Sequence, residues 1–148
     1  MRHALKLARG AARRGEVPVG CVAVRAGRVV AAASNRVERG SSALLHAEML
    51  ALSRAARRTG EWRLDGVTLY ITLEPCPMCA GAILLARVPR VVYGADDPRK
   101  GAFRSAYEVL GSPLGNHHPL VEPGLAAADS AAMLRRFFLQ LRGQAADR

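Results

Sequence analysis

The stretch Thr72-Leu-Glu-Pro-Cys-Pro-Met-Cys-Ala-Gly81 decides the fold of this chain and most of its chemistry. It completes Gly66-Val-Thr-Leu-Tyr-Ile-Thr-Leu73, a β-branched, apolar run that predicts a central strand. Pro77 then suits the first turn of a helix, where its missing N–H is not needed, and the pattern continues to about Ala86. Arg90-Val-Val-Tyr93 follows closely enough to be a parallel strand that closes a βαβ unit.

Upstream, Leu5, Ala8 and Ala12 recur at helical spacing, with Arg2, Arg9 and Arg13 between them. This predicts an amphipathic helix with a basic face over residues 2–14, stopped at Gly15. The chain begins almost inside that helix, so an upstream turn is expected either to be absent or to have been left out of this sequence. Val17–Val24 and Val29–Ala33 read as a β-hairpin around Arg25-Ala-Gly-Arg28. A polar loop, Ser34–Ser42, leads to a helix from His46 to about Arg58, ended by Thr59-Gly60. Downstream we expect a polar loop over Asp96–Ser105, a short helix near 105–110, a weak strand at Leu120–Glu122 and a last helix from about Ala128 to Leu141. Strands alternate with helices, so the class is α/β, and residues 1–148 read as one domain.

No apolar run approaches the eighteen or so residues needed to span a membrane. The N-terminal residues have no signal-peptide core. The expectation is a soluble, cytoplasmic protein with no membrane partner. Its three cysteines fit metal or redox use in a reducing compartment better than a disulfide framework. Lys and Arg number 22 against 12 acids, a net charge of +10, which points to a polyanionic partner such as nucleic acid. An Arg-rich genome would give the same excess.

Thiols at i and i+3 of a helix face the same way, so Cys76 and Cys79 can grip one ion. They sit at a helix start, where free backbone N–H groups favour thiolate. Leu45-His-Ala-Glu-Met49, roughly thirty residues upstream, offers His46 as a third ligand at another helix start. Two thiolates and one imidazole leave one position of a tetrahedral zinc open, as in catalytic sites. An open zinc lowers the pKa of water to about 7. Glu48, two residues after His46, can move protons without being a ligand. His-x-Glu paired with Pro-Cys-x-x-Cys is the pattern of zinc deaminases, and this chain supplies His46-Ala-Glu48 and Pro75-Cys-Pro-Met-Cys79. A redox dithiol does not call for His46-Ala-Glu48. A zinc ribbon needs a second Cys pair, which Cys21 alone cannot provide. Cys21 reads as a small buried residue of the first strand.

Beyond these motifs, the sequence resembles the bacterial tRNA-specific adenosine deaminases over nearly its whole length. The likeness is carried by Glu16-Val-Pro-Val-Gly20, Asn35-Arg36, His46-Ala-Glu48, Thr72-Leu-Glu-Pro-Cys76, Met78-Cys-Ala-Gly-Ala82, Arg90-Val-Val-Tyr-Gly94, Gly101-Ala102, Asn116-His117 and Phe137-Phe138. The resemblance implies a three-layer α/β/α, cytidine deaminase-like fold with a central mixed sheet of about five strands. It implies one Zn2+ per chain, bound by His46, Cys76 and Cys79. Zinc hydroxide would attack carbon 6 of the wobble adenosine in a tRNA anticodon stem-loop, with Glu48 as proton shuttle, to give inosine. Asn35, Val19 and Ala47 would bind the flipped nucleoside. Arg99, Lys100, Arg104, Asn116 and His117 are the expected tRNA contacts, and the chain would be a homodimer.

The chain departs from this family in Ala43-Leu-Leu45, just before His46-Ala-Glu48, where Asp-Pro-Thr-Ala or a near variant is common. Leu44 and Leu45 can narrow the pocket or point into the core. The first would favour a small-molecule base or nucleoside deaminase; a non-catalytic, zinc-containing RNA-binding subunit is a further alternative, against which Glu48 stands. His117-His118 reads as a polar loop rather than a second metal site. Phe137-Phe138 reads as packing, and Trp62 as a partly buried anchor.

Overall fold

The computed structural model describes residues 1–110 and 116–146. Its elements in chain order are α1 (Arg2–Ala12), β1 (Gly20–Arg25), β2 (Arg28–Ser34), α2 (Ala47–Thr59), β3 (Val67–Leu73), α3 (Pro77–Leu85), β4 (Arg90–Ala95), β5 (Leu120–Glu122) and α4 (Ala127–Ala146). The five strands form one mixed sheet in the order β2-β1-β3-β4-β5. β1 is antiparallel to β2 and to β3, whereas β3, β4 and β5 run parallel.

Adjacent residues of a strand point to opposite faces, and β1 shows what covers each. On one face, a Cβ on Gly20 would overlap the Ala4 carbonyl oxygen, so α1 lies directly on the strand backbone. On the other, Cys21 lies close enough to α2 to feel the Glu48 charge. α4 packs beside α1 over β4, and α3 packs beside α2. The result is three layers, α/β/α. Leu69, Ile71, Val91, Tyr93 and Ile83 are fully buried in the core.

Local chemistry sets the ends of these elements. Ala26 and Gly27 both take positive φ (48° and 72°), as a two-residue hairpin turn requires. Gly60 ends α2 in the left-handed conformation, at φ 73°. The first strand begins at Gly20 rather than Val17, because Pro18 has no N–H for the ladder and the Val19 N–H turns back to the Val17 carbonyl. The expected helix at 105–110 is absent; that segment is irregular, with bends and isolated turns. Glu74 accepts the N–H groups of Phe103, Arg104 and Ser105, which lead into it. Within it the Ala106 and Tyr107 N–H groups go to the Gly101 carbonyl and that of Val109 to the Ala102 carbonyl, reaches of five to seven residues that do not form a helical ladder. Trp62 is exposed, with the Arg63 guanidinium over its ring, and does not anchor the core.

The contact of α1 with Gly20 involves backbone on both sides and cannot be relieved by a rotamer change. Gly20→Ala should destabilise the fold by roughly 3 kcal/mol in urea titration. Gly143→Ala, in open space on α4, should stabilise it by about 0.5–1 kcal/mol.

Candidate active site

Because β3 and β4 are parallel, both finish at the same end of the sheet. α3 starts there, directly after β3, and α2 starts beside it. His46 is the residue before α2 and Cys76 the residue before α3; both have extended backbone (ψ 153° and 171°). Neither side chain caps its own helix, so each is free to face the other. The His46 Nδ1 lies 3.6 Å from the Cys76 Sγ and 3.5 Å from the Cys79 Sγ. All three atoms fall within 4.8 Å of one another. A tetrahedral zinc with its usual Zn–S and Zn–N bonds holds sulfur and nitrogen about 3.6 Å apart. The donor set and its spacing therefore fit zinc. Cys21, buried in β1, is not part of it.

The protonation pattern suits metal capture. A hydrogen bond from Cys79 is the main cause that pulls the Cys76 thiol down to about 4, and His46 assists against burial. The same hydrogen bond, followed by burial, pushes Cys79 well up. The bond to Cys76 raises His46. The pair thus holds a thiolate on Cys76 and a proton on Cys79, which a metal must displace. Glu48 is 4% exposed, and burial is the main cause that lifts its carboxyl to about 7. Its Oε2 has no hydrogen-bond partner among the described residues. An unsatisfied buried oxygen is rare. This one lies next to the ligand trio, where a substrate proton can use it.

Asn35 knits the proposed nucleoside-binding residues together. Its Oδ1 accepts the Ala47 N–H (2.9 Å), which caps α2, and its own N–H donates to the Val19 carbonyl (3.1 Å). The Asn35 Nδ2 is left as a donor. Val19 and the Ala47 methyl are buried in the core. Glu16, also buried, holds the following loop by accepting the N–H groups of Glu38 and Arg39. Leu45 lies against Gly40, whose missing Cβ leaves room for its Cδ1, and Leu44 is exposed. Leu45 is thus taken up by the loop.

Glu74, two residues before Cys76, is the main support that sequence reasoning gave no role. Its carboxylate accepts the N–H groups of Asp97, Phe103, Arg104 and Ser105 and the Ser105 hydroxyl. A Cβ on Gly101 would overlap it. Burial pushes the Glu74 carboxyl up, but these donors outweigh it and hold the group below the ordinary glutamate value. The signal that could have revealed it was a carboxylate at the end of an apolar strand with no cation nearby in sequence.

The loop that Glu74 shapes carries Arg99 and Lys100, both exposed. Lys100 is near enough to His46 to oppose its protonation. Arg104 is committed to Asp96 through both of its carboxylate oxygens. Asn116 and His117 are not brought to this end. Asn116 bonds Arg87, and His117 bonds the Val88 carbonyl (2.7 Å), both before the start of β4.

Glu48 also makes a stability prediction. Its folded pKa lies above the ordinary value, so the metal-free fold loses stability as pH rises from about 4.5 to 7, by up to about 3 kcal/mol. Metal-free Glu48→Gln should therefore melt above the metal-free parent at pH 8 and close to it at pH 4.5, by thermal unfolding at both pH values.

Comparison with known proteins agrees with this geometry. Residues 1–95 match the cytidine and deoxycytidylate deaminase zinc-binding region. The chain is 44% identical to the tRNA-specific adenosine deaminase of Bacillus subtilis over 96% of its own length and 88% of that protein. It is 45% identical to the one from Agrobacterium fabrum, over 96% and 93%. A solved structure from work on A-to-I editing by tRNA:A34 deaminases superposes with a TM-score of 0.88 at 45% identity, over 90% of this chain and 97% of that one. A guanine deaminase from Nitrosomonas europaea superposes at 0.79 with 26% identity, over 92% and 81%. The three-layer fold, the ligand trio with zinc spacing and the matches over nearly the full length converge: the chain belongs to the tRNA-specific adenosine deaminases, within the zinc-dependent cytidine and deoxycytidylate deaminase family.

Proposed function

We propose that this chain hydrolyses the exocyclic amine of adenosine at the wobble position of a tRNA anticodon and leaves inosine. The observation that carries the reading is the Glu48 Oε2, which has no partner among the described residues and lies beside His46, Cys76 and Cys79. When held by those three residues, zinc supplies the Lewis acid that makes water nucleophilic near neutral pH. Glu48 Oε2 takes a proton from the attacking water. It delivers that proton to the purine ring nitrogen, which keeps it in inosine. It then takes the second proton from the new carbon-6 hydroxyl and passes it to the amine, which leaves as ammonia. The Asn35 Nδ2 donates to the nucleoside, and Ala47, capped by Asn35, fixes the start of α2 beside it. Arg99 and Lys100 face the RNA as phosphate contacts. A cytoplasmic place of action goes with a tRNA substrate.

A small-molecule deaminase is the competing reading, given the likeness to guanine deaminase. Its support in the sequence was Leu44-Leu45, and the packing of Leu45 on Gly40 removes half of that. The protein should form inosine in an anticodon stem-loop bearing adenosine at the wobble position and leave free guanine and cytosine intact. Ammonia from a free base with no inosine in the RNA would contradict the proposal. Glu48→Gln should keep zinc and RNA binding while turnover falls at least about 10²-fold; unchanged turnover would remove Glu48 from the mechanism.

We also propose that the working form is a homodimer joined through α3. That helix, Pro-Met-Cys-Ala-Gly-Ala-Ile-Leu-Leu, has no charged residue on any face, and Leu85 is 75% exposed. A helix apolar all round is normally covered. Light scattering should give a dimer for the parent and a monomer for Leu85→Arg; a monomeric parent would contradict the proposal.

A further inference from the structure

The first fifteen residues carry five cations, Arg2, Lys6, Arg9, Arg13 and Arg14, and no acid, which accounts for half of the chain's net charge. Arg2, Lys6, Arg9 and Arg13 recur at i, i+4, i+7 and i+11, so they form one stripe along α1. All four are exposed. Among the described residues none is ion-paired. Ala4, Leu5, Ala8 and Ala11 supply the face that packs on the sheet, so the fold makes no use of the stripe.

Beside the stripe runs an open groove of about 540 Å³, with Arg2, Lys6, Arg13 and Arg14 in its walls and no carboxylate. Gly10 lies within it, and a Cβ there would stand 3.2 Å from the Arg14 Nη1. The Arg14 guanidinium is held across Gly10 because its Nη2 donates to the Ser34 Oγ (2.9 Å). It is pre-placed, and most of its five donors remain free. Ser34 adjoins Asn35, so the cationic strip begins one residue from the nucleoside-binding loop. From there it runs about 16 Å along the helix axis between Arg13 and Arg2. It lies on the sheet face opposite α2 and α3.

We propose that the α1 stripe is a second RNA-contact surface, which takes the backbone phosphates of a tRNA beyond its anticodon loop. The identity of the RNA rests on the proposed function. A row of guanidinium and ammonium groups matches a row of phosphates. A membrane surface would call for several apolar side chains beside the cations, but only Leu7 of α1 lines the groove, while Ala4, Leu5, Ala8 and Ala11 are buried against the sheet. An acidic protein partner would call for a larger apolar centre than Leu7 offers.

The test compares the parent with an Arg2→Gln, Lys6→Gln, Arg13→Gln triple variant. Binding is measured over a salt series to full-length tRNA and to a minimal anticodon hairpin, with inosine formation followed in parallel. For full-length tRNA, the dissociation constant of the variant should rise at least about tenfold at 0.15 M salt. The log–log salt slope should fall by about 2–3, near 0.9 per lost phosphate contact. Binding and turnover of the hairpin should stay at parent values. An Arg2→Lys, Arg13→Lys variant, which keeps the charges, should bind full-length tRNA like the parent. Unchanged binding and slope for full-length tRNA in the triple variant overturns the proposal. Equal weakening of both RNAs also overturns it, because the cations would then act only as a general field. If the parent makes no inosine in either RNA, the proposed function fails, and the binding comparison still decides the surface.

Discussion

The catalytic end of this molecule depends on one alignment: β3 and β4 run parallel, and two helices begin where those strands finish. The residue that opens each helix is a metal-ligand type, His46 for α2 and Cys76 for α3. One turn into α3, Cys79 completes a trio whose sulfur–nitrogen separations of 3.5 and 3.6 Å match tetrahedral zinc. A slip of either helix by one residue would turn these side chains away from one another. The hydrophobic packing of α2 and α3 on the sheet therefore sets the geometry of the chemistry.

The loops around the trio are held by a common device. Glu16, Asn35 and Glu74 are all buried, and each accepts backbone N–H groups from a segment distant in sequence. A buried carboxylate needs hydrogen-bond donors, and loop N–H groups need acceptors, so each arrangement satisfies both sides and fixes the loop. Glu74 shows how this responds to pH. Its carboxyl is held below the ordinary value, so its contribution is complete above the usual glutamate range and is lost as pH falls through the lower, folded value. The loop it shapes carries Arg99 and Lys100. Metal geometry and the placement of these two cations are thus tied together across the two residues from Glu74 to Cys76.

Much of this was legible in the sequence where an element declares itself by its own residues. The run Val67–Leu73, the turn at Ala26-Gly27 and the paired motifs His46-Ala-Glu48 and Pro75–Cys79 are of that kind. What could not be read were bonds to backbone N–H, because the partner has no residue signature. The segment 105–110 has helical composition but forms no helix, since its own Ala106, Tyr107 and Val109 N–H groups reach back to the Gly101 and Ala102 carbonyls, while Glu74, about thirty residues earlier, holds the residues that lead into it. The direction of Leu45 depended on the small size of Gly40, five residues away. Asn116 and His117 lie in the family's order of motifs, yet their bonds hold them near the start of β4, and sequence order does not report which end of a strand a loop visits.

The central claim is an open zinc site made of two cysteines and one histidine, with Glu48 beside it. X-ray absorption at the zinc edge of the purified protein tests it most directly. Two sulfur ligands at about 2.3 Å and two lighter ligands at about 2.0–2.1 Å are expected. Three sulfur ligands, with Cys21 recruited, or protein that retains no zinc at all would contradict it.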